Sequence, residues 1–450
     1  MADRKNDFTQ GSVSGNIVRL ALPLTLAQII NVLYNIVDRI YISRIPGEGI
    51  LAFTGVGVAF PIITLITAFT NLCGMGGSPL FSIARGRGDD KDAELTMGNS
   101  FTMLLIISIV LTAVLMIVKL PVLRLFGASE QTLPYADGYL TIYLCGTVFV
   151  MTGLGMNNYI NAQGFGRVGM LSVVIGALLN IALDPLFIFA FKMGVRGAAA
   201  ATVISQFCSC VWVLRFLTGR KAPLILRRKN MRLKWSRVRE IVSLGLTPFV
   251  MKLTNSAVQV AANATLYRFG GDLYVGVMTA VTSLHEVVHL PILGATNASQ
   301  PVLGYNFGAK AYSRVRQGIF FVTKLVVAYS AVLCALLMLF PRSFISIFSD
   351  NRELLDAAGP AVRIYFAAYF VMSLQFAGQS SFLALGYAKP ALFFSILRKG
   401  IIVVPLTLVL PNLFGLGVNG VFLAEPISCV IGGLACYLTM LRIVMPRLRE

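Results

Sequence analysis

Residues 104–118 read LLIISIVLTAVLMIV, and residues 320–340 read FFVTKLVVAYSAVLCALLMLF. The first run holds no charge, and the second holds only Lys324. Each is close to the roughly 20 residues that an α-helix needs to cross the hydrocarbon core of a bilayer. A helix on the surface of a soluble domain would carry a charged face over that length, and neither run has one. Ten further runs of similar character fill the rest of the chain. Spans are expected at 16–43, 53–82, 95–118, 137–160, 168–191, 195–217, 238–265, 274–300, 312–340, 361–384, 389–410 and 418–441. The fold class expected is an all-α polytopic membrane protein with twelve transmembrane helices.

The composition agrees with that reading. Of 450 residues, 56% are hydrophobic and 13% charged, where a soluble domain carries roughly 25% charged residues. The polar start, MADRKNDFTQGSVSG, leads into a long apolar segment with no small-residue cleavage site, so the first span is expected to be retained. The net charge of +19 would raise the question of nucleic acid in a soluble protein. Here Lys and Arg in cytoplasmic loops account for it, and no nucleic-acid partner is expected. The seven cysteines, at 73, 145, 208, 210, 334, 429 and 436, fall inside spans without paired loop spacing. They read as packing residues rather than as a disulfide framework or a zinc ribbon.

Loop charge sets the orientation. Arg4, Lys5, Arg85, Arg87, Lys91, Arg167, the middle loop at 218–240, Lys310, Arg314, Arg316, Arg447 and Arg449 lie on one side. The other side has far fewer, chiefly Arg44, Lys119, Arg124, Arg196, Arg268, Arg342 and Arg352. The positive-inside rule then places both termini in the cytoplasm.

The halves repeat. Ser78-Pro79 matches Gln300-Pro301, RLFGAS at 124–129 matches SIFSDN at 346–351, and Gln163-Gly164 matches Leu385-Gly386. GVRG at 194–197 matches GVNG at 417–420, and LALP at 20–23 matches LGLTP at 244–248. Six spans per half is an even number, so both halves share one orientation. Two pseudo-symmetric six-helix bundles are expected: residues 1–217, a basic linker at 218–240, and residues 241–450. Such a layout is typical of transporters and puts the substrate site between bundles.

Charged groups at membrane depth are costly and are functional candidates by default. At about 1.5 Å rise per residue, Asp38 lies about 7 Å below the outer end of span 1 and Asp184 about 10 Å below that of span 5. Thr202 enters span 6 to a similar depth. Asn180 shares a helix face with Asp184, as Asn31 and Asn35 do with Asp38. Carboxylate, amide and hydroxyl oxygens converging from three helices suit a proton or a sodium ion, because hard cations choose oxygen and close carboxylates can share a proton. The alternative is a set of separate structural hydrogen bonds, such as Asp38 with Arg39. In the second half Glu425 stands where Thr202 stands in the first, while Ile402 and Leu406 replace Asn180 and Asp184. Arg398 and Lys399 lie one turn away and suit an ion pair with Glu425. Asn31, Tyr34, Asn35, Asn157, Asn161, His285, Glu286, Arg398 and Glu425 are candidates for lining a substrate cavity. Lys252 in span 7 has no evident partner.

His285-Glu286-Val287-Val288-His289 matches HExxH, a zinc-protease pattern. It fixes only three positions, and these are the only histidines in the chain. A third ligand is not evident, and neither a catalytic metal nor an enzyme is expected.

LALPLTLAQIINVLYNIVDRIYIS at 20–43, LLNIALDPLFIF at 178–189, MGVRGAAAATVIS at 193–205 and SQPVLGYNFGAK at 299–310 together resemble the multidrug and toxic compound extrusion (MATE) transporters. The resemblance covers essentially all spans and is nearest the bacterial branch with staphylococcal multidrug exporters. It implies secondary active efflux from a bacterial cell membrane by a monomer. Lipophilic, often cationic compounds would leave in exchange for H⁺ or Na⁺, with no cofactor. It also implies that Asp38, Asn180, Asp184 and Thr202 form the ion-coupling site. Some relatives carry acids in spans 7 and 10; this chain has Lys252, Asn255 and Asn263 in span 7 and Gln375 and Gln379 in span 10. A lipid-linked sugar flippase of the same superfamily is the rival reading.

Overall fold

In the computed structural model, Ile106, Ile109, Val110, Val114 and Ile117 of span 3 form an outward stripe, with Ile117 83% exposed. Asn99, Ser100 and Ser108 on the same helix are buried. The apolar side faces out and the polar side faces in, the inverse of a soluble helix and the arrangement a bilayer stabilises. The structure describes residues 7–348, 351–413 and 415–448. Arg4, Lys5, Asp350 and Arg449, which entered the charge and repeat arguments, lie outside them.

Among the described residues, nine helices are long and apolar enough to cross a membrane, and two bent helix pairs pass together. One of the nine, Trp235–Gly308, has 74 residues and is broken at Gly271, where φ is 65°. At about 1.5 Å per residue it is far too long to cross once, and it supplies spans 7 and 8. The count is therefore twelve. The bent pairs are span 4, Leu133–Cys145 with Thr147–Ala162 at 58°, and span 10, Arg352–Phe366 with Tyr369–Ala384 at 45°. Their breaks, at Gly146 and at Ala367-Ala368, fall at matching places in the two halves.

The backbone repeats as the sequence does. Gly194 and Gly417 precede spans 6 and 12 with φ of 56° and 51° and ψ of −134° and −130°. That region is closed to residues with a Cβ, which accounts for the shared glycine in GVRG and GVNG. Spans 5 and 11 each contain a π-helical stretch, Leu186–Ala190 and Leu397–Val403. Pro185 directly precedes the first, and Pro405 follows the second by two residues.

The chain packs as two units. The first comprises residues 22–249 and the second residues 8–21 and 250–448. The boundaries fall between Ala21 and Leu22 and between Phe249 and Val250, beside Pro23 and Pro248, rather than at 217 and 241, so each unit takes in the first part of the other's first helix. Within the second unit, Arg314 holds the start of the chain. Its Nη2 and Nη1 donate to the carbonyls of Phe8 and Gly11 at 3.0 Å each, and its Nε donates to Asn306 at 2.8 Å.

The basic segment 218–240 is packed on the first unit rather than lying free. Asn99 accepts from the Lys234 amide at 2.8 Å and donates to the carbonyls of Asn230 and Arg232 at 3.3 Å. Glu94 accepts from Arg227 at 3.2 Å and from Asn230 at 3.0 Å. Its own Ala222, Leu224 and Leu226 are buried.

Candidate ion-coupling site

Span 5 carries Asn180 and Asp184 one turn apart, both essentially without exposure. Asn180 Nδ2 donates to Asp184 Oδ1 at 3.4 Å and to Thr202 Oγ1 on span 6 at 3.2 Å. Asp38 of span 1 is buried, and its carboxyl lies beside that of Asp184. Arg39 acts on Asp38 only through space, without an ion pair between them; its guanidinium lies 5.1 Å from the Phe60 ring centroid.

Three oxygens of this cluster, Asp38 Oδ1, Asn180 Oδ1 and Asp184 Oδ2, are buried and have no hydrogen-bond partner. Buried polar atoms are ordinarily paired, and orphaned oxygens are suited to a proton or to a small hard cation. The residues present therefore fit the coupling ion.

Tyr139 of span 4, which sequence reasoning missed, lies beside Thr202 and stacks on Tyr143 at 6.1 Å. The i, i+4 spacing of Tyr139 and Tyr143 was the available signal. Tyr34 contacts Asn35 and Gln206, and Asn35 donates to the Asn31 carbonyl at 2.6 Å. Asn157 donates to the Gly169 carbonyl at 3.2 Å, while its own Oδ1 and that of Asn161 are buried without partners.

The remaining candidates lie in the second unit. Glu425 pairs with Lys399 and Arg398. His285 and His289 stack on each other at 5.3 Å, and His289 Nδ1 is 3.4 Å from the Tyr369 hydroxyl. No cluster of three or more His, Cys, Asp or Glu side chains suited to a metal occurs among the described residues. Glu286 is exposed and acts on Lys252 through space, without an ion pair between them.

Two stretches, residues 23–186 and 249–409, each match the MatE family. The chain belongs to the MATE transporter family. The double match starts at Pro23 and Phe249, beside the points where the packed units change over. Family members are transporters, not enzymes. The chain is similar to a multidrug export protein, MepA, from Staphylococcus haemolyticus, at 22% identity covering 91% of this chain and 89% of that one. It is similar to a protein named FAD transporter from Shewanella oneidensis, at 23% identity covering 97% of each. A solved structure of a MOP superfamily transporter from Pyrococcus furiosus superimposes with a TM-score of 0.92 at 22% identity, covering 99% of each chain.

Proposed function

We propose that this protein exports lipophilic small molecules, cationic ones among them, from a bacterial cell by exchange for H⁺ or Na⁺. It works as a monomer with both termini in the cytoplasm. The observation that carries the reading is the buried cluster of Asp38, Asn180 and Asp184 with its three orphaned oxygens. Asp38 and Asp184 take up the cation, while Asn180 and Thr202 fix the geometry of the pair across spans 5 and 6. A cation that neutralises the pair favours whichever conformation brings the carboxyls together. Such a difference in affinity between conformations is what lets an ion drive a conformational equilibrium.

Proteoliposomes loaded with ethidium test this when pH and sodium gradients are imposed separately. Efflux driven by one gradient and abolished by Asp184→Asn is expected. Equal efflux with and without both gradients rejects the reading.

A further inference from the structure

The second unit contains a buried charge cluster that the coupling site does not use. The π-helical turn at Leu397–Val403 turns two consecutive residues of span 11 toward one carboxylate of span 12. Lys399 Nζ donates to both Glu425 oxygens at 3.0 Å. Arg398 Nη1 donates to Glu425 Oε1 at 3.1 Å and lies 3.6 Å from Cys429 Sγ. The side chains of Arg398, Lys399 and Glu425 are 4%, 12% and 6% exposed.

Two cations thus face one carboxylate, which leaves a positive charge in excess in a buried place. Charges are retained in such surroundings only when paired and hydrogen-bonded. Moreover Arg398 Nε is buried with no hydrogen-bond partner. That nitrogen lies on the edge of the guanidinium that takes a carboxylate or phosphate side-on. His285 Nε2, on span 8, is also buried without a partner, and its ring lies within electrostatic reach of Arg398, Lys399 and Glu425.

The surroundings are aromatic. His285 is 6.0 Å from Tyr365 and 5.7 Å from Tyr369, and His289 is 4.4 Å from Phe376, ring centroid to ring centroid. The Arg398 guanidinium lies 6.0 Å from the Phe376 centroid. Gly432 leaves room for the arginine, since a Cβ there would come within 3.1 Å of Arg398 Cγ.

We propose that the second unit holds a binding site for an anionic group, a carboxylate or a phosphate, carried on an aromatic or apolar body. Arg398 takes the anion through its free edge, Lys399 supplies the second positive charge, and the rings of Tyr365, Tyr369 and Phe376 hold the body. Glu425 stands in for the ligand, occupying both cations until an incoming anion shares them. The proposal rests on the export reading and extends its substrates to amphipathic acids, but it uses none of the coupling residues.

Titration calorimetry on the full-length protein in phosphatidylcholine nanodiscs tests it with 1-naphthoate, its neutral methyl ester and 1-naphthylmethylammonium. Saturable binding of 1-naphthoate, much tighter than that of the ester, is expected. Arg398→Gln should weaken naphthoate by about tenfold or more, the scale of a hydrogen bond to a charged group. Glu425→Gln should tighten naphthoate, because it frees both cations. The ammonium compound should be indifferent to Arg398→Gln. Absence of naphthoate binding, equal binding of acid and ester to the wild-type protein, or unchanged naphthoate binding in Arg398→Gln overturns the proposal. The acid–ester comparison needs no variant and stands even if Arg398→Gln fails to fold. Nanodiscs containing phosphatidylglycerol separate two sources of the anion. Competition by that lipid assigns the site to a headgroup, and its absence assigns it to a soluble acid. Ethidium export under an ion gradient, run in parallel, keeps the two readings apart. Loss of export alone strikes the transport reading, and loss of naphthoate binding alone strikes the anion site.

Discussion

Asn180 donates to Thr202 at 3.2 Å and so ties span 5 to span 6 at the level of two buried carboxyls. The bond fixes the Asn180 amide and leaves its Oδ1 beside the orphaned oxygens of Asp38 and Asp184. Thr202→Val keeps shape and removes the acceptor. It should lower stability by about 1 kcal/mol, the usual net worth of one hydrogen bond, and should raise the ion concentration needed for half-maximal efflux. Efflux measured against the coupling-ion concentration checks this, and an unchanged half-saturation point would remove Thr202 from the site.

Asp38→Asn and Asp184→Asn keep size and hydrogen bonding but remove the charge that a cation switches. Each should insert in the membrane normally and lose gradient-driven ethidium efflux almost completely. Export at wild-type rates by both variants would move the coupling site elsewhere.

Glu425→Ala leaves Arg398 and Lys399 buried without their carboxylate. Removing one partner of a buried pair costs about 3–5 kcal/mol. Thermal unfolding in detergent should show a large loss for Glu425→Ala. Gradient-driven efflux at room temperature should suffer less than in Asp184→Asn. If Glu425→Ala unfolds at the wild-type temperature, the ion pair contributes nothing to the fold.

Gly245 of span 7 lies against the backbone of Leu72 in span 2, with no space for a side chain. Gly245→Ala must push the two helices apart, an overpacking cost of about 1–3 kcal/mol. Gly57, which has no neighbour within 4 Å of a Cβ position, is the control. Gly57→Ala should be neutral or slightly stabilising. Equal melting temperatures for the two variants would contradict the close approach.

Arg228 sits on the basic segment 218–240, which the loop charges assign to the cytoplasm. With the native cysteines replaced, Arg228→Cys should react with an impermeant maleimide in inverted vesicles and not in intact cells. Labelling only in intact cells would reverse the orientation. Asn99→Ala removes three of the hydrogen bonds that hold the segment. It should make residues 227–234 open to trypsin while the spans stay intact.

The sequence by itself determined the span count, the two-fold repeat and the residues that come together around Asp184. These follow from rules that act locally along the chain. A bilayer demands a fixed length of apolar helix, 3.6 residues per turn decide which side chains share a face, and a polar residue at membrane depth stands out against its neighbours. The expected pairing of Glu425 with Arg398 and Lys399 came from the same spacing arguments. Tertiary structure alone decided that residues 8–21 pack with the second unit, because that depends on Arg314, some 300 positions away, reaching the Phe8 carbonyl. It alone decided that the basic segment is held down by Glu94 and Asn99, and that Tyr139 comes beside Thr202. The free Nε of Arg398 belongs with these. Only the packed neighbours determine which of a guanidinium's five donors are used, and no pattern along the chain records which one is left over.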